Sequence, residues 1–265
     1  MPSPWSFTFE PLFVALAALA AWRYVGAWRA AEPRPPRWRA ALFAGGLALI
    51  VGALNSPLET IAVEYLVLFH LLQNVIVSDW APPLLLLGLT PAMRAGLAAR
   101  LGGWFAALTR PAVALAVWLV GWYAVHLAAV YDAFLREPLL LNLEHAFLIA
   151  IGLLFWWPLL SDAPRAVPAL GRIAYVLVAF AGSAFLGLAL TFSPPVYSYY
   201  EELPTRLWGI GAEQDQNLGG ILMSSEQALV FFAVLVWLLL RLLREEEEAE
   251  RRLAAEQRAA GLREH

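Results

Sequence analysis

The sequence predicts an all-α protein, a polytopic bundle of seven transmembrane helices, and two observations carry that prediction. Of its 265 residues, 61% are hydrophobic and only 15% are charged, a composition far from that of soluble proteins. The apolar residues also come in runs of about twenty, the length that a helix needs to cross the hydrocarbon core of a membrane. A soluble helical protein rarely contains such runs, so we expect a multi-pass membrane protein.

Polar breakers separate the seven apolar runs, which are the predicted spans. The runs lie near 9–29, 39–57, 61–88, 111–131, 139–160, 171–193 and 219–243. The first lacks a basic leader and a cleavage site, so we interpret it as a retained span and not as a signal peptide. The third contains Asp79 and Pro82-Pro83, so we expect it to tilt, to kink, or to end near Trp80 and continue along the interface.

The arginines are concentrated in alternate connections, and this pattern predicts the orientation. The first, third and fifth connections and the end of the last span carry Arg29, Arg34, Arg37, Arg39, Arg94, Arg100, Arg110, Arg165, Arg172, Arg241 and Arg244. The other connections carry mostly acids. The positive-inside rule then places the N-terminus outside and the C-terminus in the cytoplasm, in agreement with an odd number of spans.

The last residues form a segment of different composition. We divide the chain into a seven-helix transmembrane domain, 1–244, and a charged cytoplasmic helical tail, 245–265. The tail mixes acids and arginines at helical spacing, which predicts a solvated helix that extends the last span. Docking of a partner on this tail is the alternative, and His265 at its end receives no role.

Several classes of function are excluded by what the sequence lacks. The chain has no cysteine, which excludes disulfides, thiolate copper sites and iron–sulfur clusters. It also has no phosphate-binding glycine loop and no basic patch for nucleic acid. The one Ser-Ser pair, Ser224 and Ser225, is not in the strained turn that a serine nucleophile requires. A hydrolytic or nucleophilic triad therefore finds no support in the sequence.

The three internal histidines are the strongest functional signal. His70, His126 and His145 lie in the third, fourth and fifth spans. With the predicted orientation they all fall in the outer half, about 7–14 Å below the outer ends of their helices. Ionisable side chains are costly in hydrocarbon, so their convergence predicts a site in a cavity open to the outer face. The short connection between spans four and five predicts that His126 and His145 are the closest pair. The alternative is that each histidine is a hydrogen-bonding strut between helices.

Other polar side chains lie at spacings that place them near these histidines. Gln73 and Asn74 share a helix face with His70, and Asn142 shares one with His145. Imidazole without thiolate favours copper, with zinc or haem iron next. A neutral imidazole ligand needs a carboxylate or amide at its second nitrogen, and the candidates are Gln73, Asn142 and Glu144. Met223, in the seventh span, is either a packing residue or a soft thioether ligand.

Four stretches of the sequence resemble a known family. They are HLLQNVIVSDWAPPLLLLG at 70–88, HLAAVYDAFLREPLLLNLEHAFLIAIGLLFWWPLL at 126–160, GLALTFSPPVYSYY at 187–200 and EQDQNLGGILM at 213–223. In this order and spacing they resemble the CtaG-type cytochrome c oxidase assembly factors of the multi-spanning kind. The LEHAFL run and the DQNLGG run are the most specific, and the resemblance covers roughly 40–245.

The resemblance implies a multi-pass protein of the bacterial inner (plasma) membrane that helps to mature a haem-copper oxidase. It implies a role in handling copper for the outward-facing copper centre, in contact with oxidase subunits or other assembly factors. The positions that match are His70, His126, Glu144, His145, Asp215, Gln216 and Met223. Relatives commonly carry histidines where this chain has Asn74 and Asn142, so its metal site would have fewer ligands.

The leading hypothesis from the sequence is a non-enzymatic assembly factor that handles copper in a histidine-lined cavity open to the outer face. Its metal ligands would be His70, His126, His145 and Met223. The residues around them would be Gln73, Asn74, Asn142, Glu144, Asp215 and Gln216. Two alternatives remain open: a haem- or quinone-binding redox protein with His126 and His145 as axial ligands, and a metal-free scaffold for oxidase assembly.

Overall fold

The computed structural model describes residues 2–261, so Met1 and residues 262–265, with His265 among them, lie outside it. Every regular element within the described range is helical. The helices are α1 (Pro11–Ala30), α2 (Arg37–Leu54), α3 (Pro57–Glu64), α4 (Val67–Val75), a π-helical turn (Ile76–Trp80), α5 (Ala81–Gly88), α6 (Pro91–Leu108), α7 (Pro111–Val125), α8 (Ala128–Arg136), α9 (Pro138–Leu160), α10 (Ala169–Phe192), α11 (Ser198–Glu201) and α12 (Ala212–Gly261).

Six helices in the described part of the chain are long and apolar enough to cross a membrane. They are α1, α2, the continuous helix Val67–Gly88, α9, α10 and the Ala212–Arg252 part of α12. A seventh span results if α6 and α7, which are bent by 73° at a short break, are counted together. The prediction of an all-α bundle of apolar spans is confirmed. The orientation of the termini and the boundary at residue 244 stay predictions, because α12 runs through that boundary without a break.

Proline and side-chain caps explain where many of the helices begin. Proline lacks the amide hydrogen that the first turn of a helix leaves unpaired anyway. It occupies the first position of α1, α3, α6, α7 and α9, as Pro11, Pro57, Pro91, Pro111 and Pro138. The hydroxyl groups of Ser56 and Thr90 also accept backbone hydrogen bonds at the starts of α3 and α6, and thereby satisfy otherwise unpaired donors.

The third span differs from the prediction at both its start and its middle. It begins at Val67, because Tyr65 and Leu66 leave the helical conformation after α3. It does not end at Trp80, since the π-helical turn inserts one extra residue there and the helix continues into α5. Pro82 and Pro83 fall in the first turn of α5, where the π-helical turn has already altered the hydrogen-bond ladder.

The fourth span is shorter than the sequence predicts. We expected it to reach residue 131, but α7 ends at Val125 and His126 caps it with φ −91° and ψ 1°. Leu127 is extended, with φ −63° and ψ 128°, and turns the chain into the separate helix α8. His126 therefore lies at a corner of the chain and not inside a continuous span.

Close approach of helices α4, α9 and the π-helical turn sets the centre of the bundle. Gly152 of α9 lies so close to Ser78 that an added Cβ would clash with the Ser78 carbonyl oxygen. This contact holds α9 against the helix that begins with α4. Because α4 carries His70 and α9 carries His145, the packing at Gly152 fixes how far apart the two histidines lie.

Candidate functional site

His70, Glu144 and His145 form a buried cluster between α4 and α9. Each offers one ligand atom, and these atoms all lie within 4.8 Å of one another. The Nε2 atom of His70 lies 3.4 Å from the Oε2 atom of Glu144, and the two imidazole centroids are 5.8 Å apart. All three side chains are at most 1% exposed. This is the one group of three such ligand residues that the described part of the chain brings together.

A tyrosine on the short helix α11 orients the His70 ring. The Nδ1 atom of His70 lies 3.3 Å from the Tyr200 hydroxyl, and that hydroxyl donates its own hydrogen to the carbonyl of Ala62. The hydroxyl oxygen can therefore only accept from His70, which places the ring hydrogen on Nδ1 and the lone pair on Nε2.

The lone pair of His70 then faces an acidic side chain. Neither Nε2 of His70 nor Oε2 of Glu144 has a hydrogen-bond partner, although both are buried. Two acceptor atoms 3.4 Å apart repel each other unless a proton or a cation lies between them. The Nε2 atom of His145 is also buried without a partner. The arrangement thus offers three electron pairs to one cation.

His126 lies near this cluster, and the ring of Tyr131 packs against both His126 and His70. The Tyr131 ring centroid lies 4.9 Å from that of His70 and 5.8 Å from that of His126. The Nδ1 atom of His126 donates to the Trp122 carbonyl at 2.7 Å, which leaves its buried Nε2 atom as an unpaired acceptor. The pair that we expected to be closest was His126 with His145, and that expectation was wrong. The contact is instead between His70 and His145, because α7 ends before His126.

Met223 lies in the apolar core of the bundle. Its side chain is fully buried, and it stands four residues after Gly219 on α12, so the two share a face. Gly219 packs against Leu71 of α4. The thioether therefore belongs to the face of α12 that turns toward the helix of His70.

The three amides that the sequence singled out have different partners. Asn74 donates to the Oε1 atom of Glu144 at 3.1 Å, and so holds the carboxylate of the cluster in place. Gln73 donates to the carbonyl of Ala53 at 2.7 Å and to Glu59, on the other side of α4. The side chain of Asn142 donates to the carbonyl of Pro138 at 3.1 Å, within its own helix.

Asp215 positions the start of the helix that carries His70. Its carboxylate accepts from the backbone amides of Val67 and Leu68, both at 2.9 Å, and pairs with Arg206 at 3.2 Å. An acidic cap of this kind stabilises the first turn of a helix. Asp215 therefore acts on His70 through the backbone of α4.

Gln216 fastens the loop between α10 and α11. Its side chain accepts from the amide of Val196 at 2.8 Å and donates to the carbonyls of Leu190 and Pro194 at 3.1 Å and 3.0 Å. This loop leads into α11 and thus to Tyr200. Gln216 contributes to the orientation of His70 by holding that loop.

Three residues near the site were missed by sequence reasoning. Tyr131 and Tyr200 belong to the short helices α8 and α11, whose return toward His70 cannot be seen from helical spacing within a single span. Glu59 of α3, which precedes the third span, is 3% exposed. Burial raises the pKa of Glu59 to about 7, although the hydrogen bond from Gln73 partly opposes that effect. Both tyrosines lie in stretches that resemble the family, 126–160 and 187–200, and this was the signal that could have identified them.

The imidazoles do not line an open vestibule. His70, His126 and His145 are 0%, 4% and 1% exposed, so they lie in the packed interior. A groove of about 340 Å³ between the α7–α8 corner and α9 reaches Glu144. The other lining residues include Val125, Leu127, Val130, Leu143 and Phe147. This apolar groove is the approach to the cluster from the surface of the bundle.

Comparison with known proteins yields one family. The family model for the cytochrome c oxidase caa3 assembly factor (Caa3_CtaG) matches residues 19–245, which include the whole cluster. Neither a search of curated proteins nor a search of solved structures returned a significant match.

Proposed function

This chain belongs to the family of cytochrome c oxidase caa3 assembly factors, and on that premise we propose that it binds copper and passes it on during oxidase assembly. The protein would act in the bacterial plasma membrane without catalysing a reaction. Its partners would be oxidase subunits or other assembly factors, together with the surrounding lipid. Copper is then the cargo of the protein.

The observation that carries this proposal is the pair of unpartnered acceptors on His70 and Glu144. Histidine nitrogens and carboxylate oxygens bind a tetrahedral metal ion at about 2.0–2.2 Å, so two ligand atoms lie roughly 3.3–3.6 Å apart. The 3.4 Å between His70 Nε2 and Glu144 Oε2 fits that requirement. A ring nitrogen of His145 lies within 4.8 Å of a ligand atom of each of these two residues, and it would move inward when an ion binds.

The chemistry of the donors supports copper as this cargo. Imidazole is a good ligand for copper and also for zinc, and the chain has no thiolate that would compete. The negative charge of Glu144 offsets the charge of a monovalent copper ion, which lowers the cost of holding it among apolar helices. Copper is chosen over zinc because the resemblance implies a haem-copper oxidase as the recipient.

His126 and Met223 would bind the ion only after a rearrangement of the site. The Nε2 atom of His126 is unpaired, and the Tyr131 ring packs against both His126 and His70. His126 would therefore join the ion only when Tyr131 moves aside. The thioether of Met223 is a soft donor on the helix face turned toward α4, and it would suit monovalent copper in the same rearrangement.

Copper analysis of the purified full-length protein tests the proposal. The protein is loaded with monovalent copper in detergent, freed of excess metal, and its copper content is measured for wild type, His70→Ala and His265→Ala. We expect His70→Ala to lose most of the copper, because the cluster loses one of its two imidazoles. His265→Ala serves as the matched histidine control and should retain it. Equal copper in wild type and His70→Ala would refute the proposed site, and zinc retention without copper would refute the choice of metal.

Two further measurements separate the alternatives. A Soret band in the purified protein would favour the haem-binding alternative, whereas a colourless protein that retains copper favours the present proposal. Oxidase assembly that survives replacement of His70, His126 and His145 together by alanine would favour a metal-free scaffold.

A further inference from the structure

A second buried polar cluster lies apart from the histidines, where the π-helical turn meets α12. Its members are Asp79 of the π-helical turn and Glu226 and Gln227 of α12, which are 1%, 8% and 1% exposed. Asp79 stands nine residues after His70, so it lies about 13–14 Å further along the helix. The two clusters therefore do not share a ligand or an ion.

Most polar atoms of this cluster have no partner. Both carboxylate oxygens of Asp79, the Oε2 atom of Glu226 and both amide atoms of Gln227 are buried without a hydrogen bond. The side chains that face Asp79 are Ser78 on its own turn and Glu226 and Gln227 on α12. Such groups are rare in protein interiors, and each one points to a bound species or a function.

No positive charge offsets the two acids in the part of the chain that the structure describes, since none of the ion pairs found there includes Asp79 or Glu226. The Oε1 atom of Glu226 accepts a hydrogen bond from the indole Nε1 of Trp80 at 2.6 Å. The helix that brings Trp80 and Asp79 to this position is a π-helical turn, a distortion that occurs frequently at functional sites.

Two facing carboxylates in an apolar interior cannot both stay ionised, because the burial of unpaired charge costs far more than the binding of a proton. We propose that Asp79 and Glu226 form a proton-binding site in which the two carboxyl groups share one proton. The proton resides on Asp79 and the negative charge on Glu226. The charge belongs on Glu226 because the indole N–H of Trp80 stabilises an anion there.

The shared proton has a route to the surface through Glu226. A groove of about 590 Å³ on the outside of the bundle is lined by Glu226 and Trp80 together with apolar side chains such as Leu68, Leu222 and Leu229. The donors of the pair are all oxygen, which does not suit the soft copper ion. A proton that passes from Asp79 to Glu226 needs no such soft donor.

Infrared spectroscopy of the full-length protein in lipid vesicles tests this site. The spectra of wild type, Asp79→Asn and Glu226→Gln are compared above pH 7, because burial raises the pKa of Glu59 to about 7 and its neutral form would add a band of its own. We expect the wild type to show the C=O stretching band of a neutral carboxylic acid. The frequency of this band should shift in heavy water, and the band should be lost in Asp79→Asn. In Glu226→Gln the band persists at a shifted frequency, because the hydrogen-bond partner of the Asp79 proton has changed. Glu202→Gln, at an exposed acid paired with Arg136, should leave the spectrum unchanged.

Identical carboxylic bands in wild type and Asp79→Asn would overturn the proposal. A metal ion in place of the proton would also overturn it: the wild type would then lack this band and would unfold at a higher temperature when sodium, magnesium or calcium is added at constant ionic strength. If Asp79→Asn does not fold, the comparison of Glu226→Gln with wild type tests the proposal by itself. A carboxylic band at the same frequency in both proteins would exclude a proton shared between the two groups.

Discussion

The hydroxyl of Tyr200 lies 3.3 Å from the Nδ1 atom of His70, so a residue of the short helix α11 sets the direction of an imidazole in the third span. The same segment is tied to the rest of the protein at a second point, because Arg206 donates to the carbonyl of Tyr200 and pairs with Asp215. Asp215 in turn caps α4, the helix of His70. The connection between α10 and α12 therefore controls both the position and the tautomer of His70.

Tyr200→Phe tests the role of this hydroxyl. The substitution removes the acceptor that holds the ring hydrogen of His70 on Nδ1, and the ring can then rotate or exchange tautomers. Loss of such an orienting partner typically lowers metal affinity about 10- to 100-fold, and we expect a loss of that size for copper in competition titrations with a copper chelator. Tyr199→Phe, on the same helix but without a hydrogen bond between its hydroxyl and His70, should bind like the wild type. Unchanged affinity of Tyr200→Phe would show that the tyrosine does not orient the ligand.

Gly152→Ala tests whether the contact between α9 and the π-helical turn positions the cluster. The added methyl group would clash with the carbonyl oxygen of Ser78, and backbone cannot yield as a flexible side chain can. Overpacking of this kind costs typically about 1–3 kcal/mol, so we expect a lower midpoint of thermal unfolding together with weaker copper binding. Gly45→Ala in α2 is the matched control, since nothing lies within 4 Å of its added Cβ. A Gly152→Ala protein with normal stability and copper content would show that the helices can separate without affecting the site.

The sequence predicts the membrane bundle well, because a long apolar run indicates directly that a helix can lie in lipid. It also predicts that the three histidines converge, since all lie in the same half of their spans, and His70 and His145 do lie together. It fails at His126, where the end of α7 depends on the extended conformation of Leu127. The spacing of apolar residues does not predict a corner of this kind. Because the helix ends just before His126, the imidazole lies away from its expected partner.

The hydroxyl group that orients His70 is the part of the site that the sequence could not supply. Gln73 and Asn142 have the spacing of orienting groups, yet Gln73 donates to the Ala53 carbonyl and to Glu59, and Asn142 donates to a carbonyl of its own helix. The orienting hydroxyl comes from Tyr200, about 130 residues after His70. Such a contact depends on how the connections between the spans fold back over the bundle, and helical spacing carries no information about that.

Because Glu59 is a buried acid, we expect the stability of the protein to depend on pH, and we expect Glu59→Gln to remove that dependence. Burial raises the pKa of Glu59 from its ordinary value of 4.5 to about 7, so the folded protein binds a proton more tightly than the unfolded chain does. The stabilisation from this proton is present below about pH 4.5 and is lost as the pH rises through about 7. A difference of that size corresponds to a loss on the order of 3 kcal/mol. Glu59→Gln, which is neutral at every pH, should match the wild type in acid and exceed its unfolding midpoint above neutral pH. Glu64→Gln, at a half-buried position in the same helix, should follow the wild type throughout, and parallel curves for Glu59→Gln and wild type would show that Glu59 stays ionised in the folded protein.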